Sequence, residues 1–393
     1  MDSTTFGKLI RAYREQRGWK QQELAERWGF TREYVSQIER GKRKLDKQEQ
    51  VTRLADILGI PEERLGAVGK RIPHRKTNVQ HSLEGEDILL QSLLEPAQTT
   101  VKMSWLIWQG DSTVADIGEN LRDWEQRLDA SLEMYRGQFY KPALRLLAYI
   151  HEMRGKLAME RTATKEAMSH FQEMYDIAEE LSNSDLLTLA LIHQSEMFRR
   201  YGRYEASFRR IEAAEKNVQQ HVEEVSSYIQ GVLWKAYARN YYVYGDEQGF
   251  LRTIDRAAAI AEDAATTIDT LSSEFDKVEV LQVRAQGYAA LWKPEKALEI
   301  YKETDRLRPF RPLRYQSSYY IEKAQAYCYA GDTKNGIEHA MTGLKMAENL
   351  HSIRYVMRLQ QMSNRLSTTS IGKEHAIKEL RGEILGTLQR MNY

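Results

Sequence analysis

The chain of 393 residues predicts an all-α protein, a small helical head followed by a long array of helix pairs, on three observations. Hydrophobic residues make up 42% while Gly and Pro number only 23 and 7, the balance of a folded, helix-rich chain. The stretch 21–41, QQELAERWGFTREYVSQIERG, spells two short helices joined by a tight turn. Further on, helix breaks recur near Gly110, Thr162, Gly202, Gly245, Trp292, Gly331 and Ile371, at steps of 52, 40, 43, 47, 39 and 40 residues, as in stacked helix pairs. Such a length exceeds one ordinary core and divides into domains or repeats.

In the head, Leu24, Ala25 and Trp28 share one face of a helix that ends at Gly29. Phe30 begins the connection. Thr31 is placed to cap a second helix with Val35 and Ile38 inward and Arg32, Glu33, Ser36 and Gln37 outward, a polar row suited to base edges. Gly41 releases this helix, and the cations Lys42, Arg43 and Lys44 follow at once. Asp46 and Glu49 have the spacing of a capping box, opening a helix carried by Val51, Leu54, Ile57 and Leu58; Gly59 ends it, and Pro61 starts a fifth helix to about Leu65. The formal charge of +1 hides an asymmetry: residues 1–76 hold 18 Lys and Arg against 11 Asp and Glu, the remainder 39 against 45. Basic residues gather where phosphates would be met.

These residues resemble the helix-turn-helix of the Cro/phage-repressor (XRE) family over roughly Phe6 to Leu65. The matches are Ile10, Tyr13 and Arg14 in the first helix, Gly18 at its end, Gln21 to Ala25 in the second, and Ser36 to Gly41 at the end of the recognition helix. The resemblance implies that Arg14 pairs with Glu39 inside the domain and that Gln21 holds a DNA phosphate. It further implies that Arg32, Glu33, Ser36 and Gln37 face the bases of a double-stranded operator, while Lys42, Arg43 and Lys44 run along its backbone. Two positions depart from the family. Lys20 replaces the usual Ser or Thr N-cap, a loss of roughly 1 kcal/mol. Glu33 is an acceptor only, suited to a cytosine amino group or to orienting Arg32.

Residues 1–66 form the expected DNA-binding domain, and residues 67–83, aperiodic and basic, a linker. A short helix around Ile88 to Leu94 then leads into seven helix pairs from about Gln98 to Met391 within a domain of residues 84–393. Two copies follow the residue rules of a tetratricopeptide repeat. One carries Trp234, Tyr237, Ala238, Tyr241, Gly245, Phe250, Ile254 and Ala257, and the other Leu281, Ala285, Tyr288, Ala297, Tyr301 and Pro309. Small alanines let the paired helices approach, and aromatics fill what remains. The expected architecture is a five-helix helix-turn-helix domain and a tetratricopeptide-like solenoid coiled as a right-handed superhelix.

Inner-helix residues that do not pack on a neighbour line the concave face of such a solenoid. Counting back from the breaks places Glu196, Arg239, Gln286 and Gln325 in one polar ladder, with Lys235 and Gln282, and Arg199 and Tyr242, in adjacent rows. Arg199, Lys235, Arg239, Tyr242, Gln282, Gln286 and Gln325 are the candidate ligand residues: the cations suit a carboxylate, and the glutamines offer donor and acceptor to a peptide backbone. The whole architecture resembles the RRNPP peptide-sensing transcription factors. That resemblance implies a short quorum-sensing-type peptide on the concave face and a homodimer. A scaffold that grips a protein partner stays open as the alternative.

No HExxH, GxSxG, P-loop or dinucleotide fingerprint occurs, and the nine histidines have no ligand spacing, so neither enzyme activity nor a cofactor or metal is expected. Cys328 is the single cysteine, which excludes an internal disulfide and points to a reducing compartment. No apolar run approaches the ~20 residues of a membrane span, so the expectation is a cytoplasmic protein.

Overall fold

The computed structural model describes residues 3–43, 50, 53–54, 57–58, 60, 79–110, 114–263, 275–307 and 311–391. They fall into two compact units, residues 1–79 and 80–393. Every regular element among the described residues is helical.

The head holds α1 (Ser3–Gln16), α2 (Gln21–Trp28) and α3 (Arg32–Glu39). Gly29 adopts φ 84° and closes α2, and the Thr31 side chain accepts from Tyr34 N at 3.2 Å to cap α3. No side chain caps α2 at Lys20, but Glu23 reaches back to Lys20 N at 2.6 Å and satisfies one donor of that turn. Leu24, Ala25, Trp28, Val35 and Ile38 are buried with Phe6, Ile10, Leu54 and Leu58. Gly7 sets the approach of α1 to α3. A methyl group there would sit 2.2 Å from the Ile38 carbonyl oxygen, so the two backbones touch where only glycine fits. The expected capping box at Asp46, Val51 and the fifth helix from Pro61 lie outside the described residues.

The second unit is seven helix pairs: α4 (Val79–Gln109) with α5 (Val114–Met134), α6 (Tyr140–Glu160) with α7 (Thr164–Leu181), α8 (Ser184–Arg200) with α9 (Tyr204–Gln220), α10 (Ser227–Tyr244) with α11 (Glu247–Asp263), α12 (Lys277–Ala290) with α13 (Pro294–Leu307), α14 (Leu313–Tyr329) with α15 (Thr333–Asn349), and α16 (Ile353–Ser367) with α17 (His375–Arg390). The breaks read from the sequence are the turns within these pairs. Five of them turn on a left-handed residue, Gly202, Gly245 and Gly331 but also Thr162 and Trp292. The start of the array differs from expectation. In place of a short helix before Gln98, α4 runs unbroken from Val79 through Pro96. Proline removes one helical hydrogen bond, while Leu90, Ala97 and Val101 keep the same buried face on both sides of it.

From α6 onward the helices of a pair pack on each other, and from α8 onward the first helix of each pair also packs on the first of the next. Close approach is again set by glycine: the Phe250 ring of α11 fills the space where Gly287 of α12 lacks a side chain, and Phe171 of α7 does the same against Gly155 of α6. The array also meets itself, since α16 touches α6.

His151 and His170 face each other across α6 and α7 with Nδ1 atoms 3.1 Å apart. Burial pushes their ordinary value near 6.5 down to about 3 and about 4, with the neighbouring imidazole adding to the shift of His151 and Arg154 to that of His170. Both pKa values are depressed in a base, so the unfolded chain binds protons first. The stability they permit is whole above about pH 6.5 and is lost as pH falls toward 4. The urea midpoint of the array should drop across that window, and His151→Leu with His170→Met should flatten the slope. An unchanged slope would show that these imidazoles are solvated.

Candidate functional site

On the head, burying Val35 and Ile38 turns the opposite side of α3 outward. Arg32 and Gln37 are exposed, and so are Lys42 and Arg43 beyond the helix. Ser36 is half-buried; its Oγ and carbonyl accept from Arg40, which is itself exposed one turn on. The Arg43 guanidinium stands 4.6 Å over the Tyr34 ring, which stacks in turn on Phe30 at 4.6 Å. Tyr34 thus holds the loop cation against α3, a role with no signature in spacing alone. The Glu33 side chain and Lys44 lie outside the described residues.

Arg14 donates to Glu39 from Nε at 2.5 Å and from Nη2 at 3.0 Å, and both side chains are buried. Arg14 Nη1 also donates to the Trp19 carbonyl at 2.6 Å, tying together α1, the turn after it and α3. The Gln21 amide nitrogen, the donor expected to meet a phosphate, instead donates to Glu39 Oε2 at 2.8 Å. That carboxylate is the hub of the head, accepting from residues of α1 and α2 at once.

Inside the array, the first helices of the pairs enclose a cavity of about 150 Å³. Of the candidate ligand residues, Arg199, Lys235, Arg239 and Gln282 line it. Lys235 is buried and pairs with Glu279 at 2.5 Å, and Gln282 Nε2 donates to Glu322 at 2.7 Å, so both have partners within the chain. Tyr242, Gln286 and Gln325 stand apart from its wall: the Tyr242 hydroxyl donates to Gln286 Oε1 at 3.2 Å, and Gln325 donates to the Tyr329 hydroxyl at 3.0 Å. Asn240, beside Arg239, is buried and bonds Ser195 and Ser207 between pairs.

Sequence reasoning missed Lys156, Arg314 and Arg354, which share the same cavity. They arrive because α6 meets the last pairs. Glu160 at the end of α6 accepts from Arg354 Nη1 at Oε1, 2.9 Å, and from Ser352 Oγ at Oε2, 2.5 Å, and Arg314 Nη1 lies 2.9 Å from that same Oε2. Arg314 Nε further donates to the Trp108 carbonyl at 2.5 Å and its guanidinium covers that indole. Burial pushes the Glu160 carboxyl up, but Arg354 and Arg314 outweigh it and hold it below the usual range. Glu196 is half-buried; burial pushes its carboxyl up, but Arg200 and Arg199 outweigh it and hold it well below that range. A sequence signal existed: Lys156 stands six residues before the Thr162 break, the register of Glu196 and Arg239, and Arg314 and Arg354 each stand seventeen before theirs.

His151, His170 and Glu125 also come within 4.8 Å of one another, a grouping hidden from residue spacing. The Glu125 carboxylate is taken by Arg154. No helix among the described residues is long and apolar enough to cross a membrane.

Residues 5–67 match the family model described as a helix-turn-helix domain. No curated protein matches the chain. The N-terminal unit is therefore a helix-turn-helix domain, which marks the chain as a DNA-binding regulator, and it precedes an all-helical repeat array.

Proposed function

We propose that the chain is a sequence-specific transcriptional regulator of the XRE type whose array holds a small signal, a short peptide of the quorum-sensing kind, and adjusts operator affinity to it, as in RRNPP regulators. The observation that carries the sensing half is Arg199 and Arg239. They stand on successive inner helices at one cavity and form no hydrogen bond or ion pair among the described residues. Two planar guanidinium forks in a partly buried site suit a ligand carboxylate. Titrating operator binding by the full chain with cell-free culture extract tests this. A heat-stable factor should change the affinity, and Arg239→Ala should remove the response while leaving operator binding by the free protein intact. A co-purifying protein in place of that factor would favour the scaffold reading.

On the head, Arg32 and Gln37 read bases, and Lys42 and Arg43 hold phosphates. Arg32→Ala or Gln37→Ala should cost ~1–3 kcal/mol of operator affinity and spare nonspecific binding. Lys42→Ala should weaken all sequences alike and lower the salt slope by about one charge. Electrophoretic or anisotropy titrations at several salt concentrations separate the two; full affinity and unchanged base preference in both α3 variants would remove α3 as the reader. The working form is a homodimer joined through the array, with half-sites ~34 Å apart, because one short helix covers too few base pairs. Light scattering that finds a monomer at tens of micromolar would count against it.

A further inference from the structure

We infer that the cavity is a binding site for a compact oxyanion, carboxylate or phosphate in chemistry, gripped by Arg199, Arg239, Arg314 and Arg354, and that the bound anion closes the array by tying its third and fourth helix pairs to its sixth and seventh. The inference rests on the sensing reading and names the ligand chemistry and the mechanical effect.

The cavity wall carries Lys156, Arg199, Lys235, Arg239, Arg314 and Arg354 but only Glu196 and Glu279 as carboxylates. Both acids are already committed, Glu279 to Lys235 at 2.5 Å and Glu196 to Arg200 Nε at 2.9 Å. Glu160, just behind the wall, is shared by Arg314, Arg354 and Ser352. Arg199 and Arg239 therefore face the cavity with no hydrogen bond or ion pair of their own among the described residues, and Glu196 and Glu279 act on them only at longer range.

Donor geometry gives the second, independent observation. Arg314 is 1% exposed, yet its Nη2 makes no hydrogen bond among the described residues, and the buried Nε of Arg354 makes none either. Buried guanidinium donors left unmade are costly, and a native structure satisfies them with solvent or an ion. Trp108, Met159, Ile192 and Val232 supply apolar wall between the cations, which limits how well water can serve. An oxyanion accepts from several forks at once, which chloride does less well. The volume of about 150 Å³ is below the ~300–1,000 Å³ of sites for drug-sized ligands, so the cavity takes a compact group or one charged end of a longer molecule.

Position gives the mechanical effect. Arg199 and Arg239 project from α8 and α10, and Arg314 and Arg354 from α14 and α16, so the like charges that repel across the empty space belong to opposite arms of the array. One anion between them turns repulsion into attraction. Glu160 makes a lesser version of the same tie from α6.

Thermal unfolding of the full chain in sodium phosphate, and separately in sodium citrate, against sodium chloride of equal ionic strength tests the site. At least one probe should raise the midpoint saturably by on the order of 2 °C or more, with a smaller radius of gyration in solution scattering. Arg199→Gln with Arg239→Gln should weaken that probe at least tenfold. Should the pair fail to fold, Arg239→Lys keeps the charge, loses the fork and should weaken it measurably. Glu160→Gln should lower the midpoint without anion yet tighten the probe, since one competing negative charge is gone. A response to phosphate alone assigns a phosphate-bearing ligand and to citrate alone a carboxylate-bearing one. No saturable effect beyond chloride, or an equal effect in the arginine variants, overturns the site. Saturable anion binding that leaves operator affinity untouched keeps the site and overturns the sensing reading instead.

Discussion

Glu39→Ala should unfold the head and abolish operator binding while the array melts as before. Glu39 accepts from Arg14 Nε, Arg14 Nη2 and Gln21 Nε2, and its side chain is 2% exposed. Its removal leaves the Arg14 cation buried without its partner, a loss of ~3–5 kcal/mol. A unit of 79 residues has about that much stability in all. Calorimetry of the full chain should show the transition of the head vanish, and DNA affinity should fall by at least a hundredfold at any sequence. The double exchange Arg14→Met with Glu39→Leu should restore much of the fold, because two apolar groups of similar volume replace the pair without stranding a charge. Retention of the head transition in Glu39→Ala to within a few tenths of a kcal/mol would refute the hub role.

The second large effect belongs to the array. The Phe250 ring is fully buried, sits edge-on to Tyr242 and Tyr288 with centroids 5.9 and 5.8 Å away, and occupies the hollow over Gly287. Phe250→Ala should cost ~3–5 kcal/mol through lost transfer energy and the void it leaves. Gly287→Ala alone should cost ~1–3 kcal/mol, because its methyl carbon would lie 2.2 Å from the ring. Together they should cost less than the two apart, since the added methyl partly fills the void. Urea unfolding of the four proteins gives the cycle; strict additivity would mean that ring and glycine do not meet.

The head was legible because its signals are local. Leu24, Ala25 and Trp28 on one helix face, the Thr31 cap and the turn at Gly29 each follow from residues within a few positions, and the Arg14–Glu39 pair came from the family resemblance. What local reasoning missed is direction: the Gln21 amide turns inward to Glu39, and Gly7 matters only because α3 crosses α1 there. In the array, the breaks and the packing residues Ala238, Phe250, Ala285 and Tyr301 were legible from period and residue size. The cavity was half legible. Arg199 and Arg239 follow from the register of adjacent pairs, whereas Arg314 and Arg354 depend on how far the coil turns over 192–206 residues, a sum of small rotations that no window of sequence contains. For the same reason Gln286 and Gln325, correctly in register, fall outside the wall.

A stack of repeats in which each touches only its neighbours frays from its ends, and its unfolding spreads over a range of conditions. The bonds from Glu160 to Ser352 and Arg354 convert that open stack into a loop. A stack joined this way has no free seventh pair to peel away at low cost, and opening any one pair strains the others. Amide exchange along α6, α14 and α16 should therefore be slow and nearly uniform. Severing the link would return the protein to graded melting from α17 inward, with proteases entering at the C-terminus first.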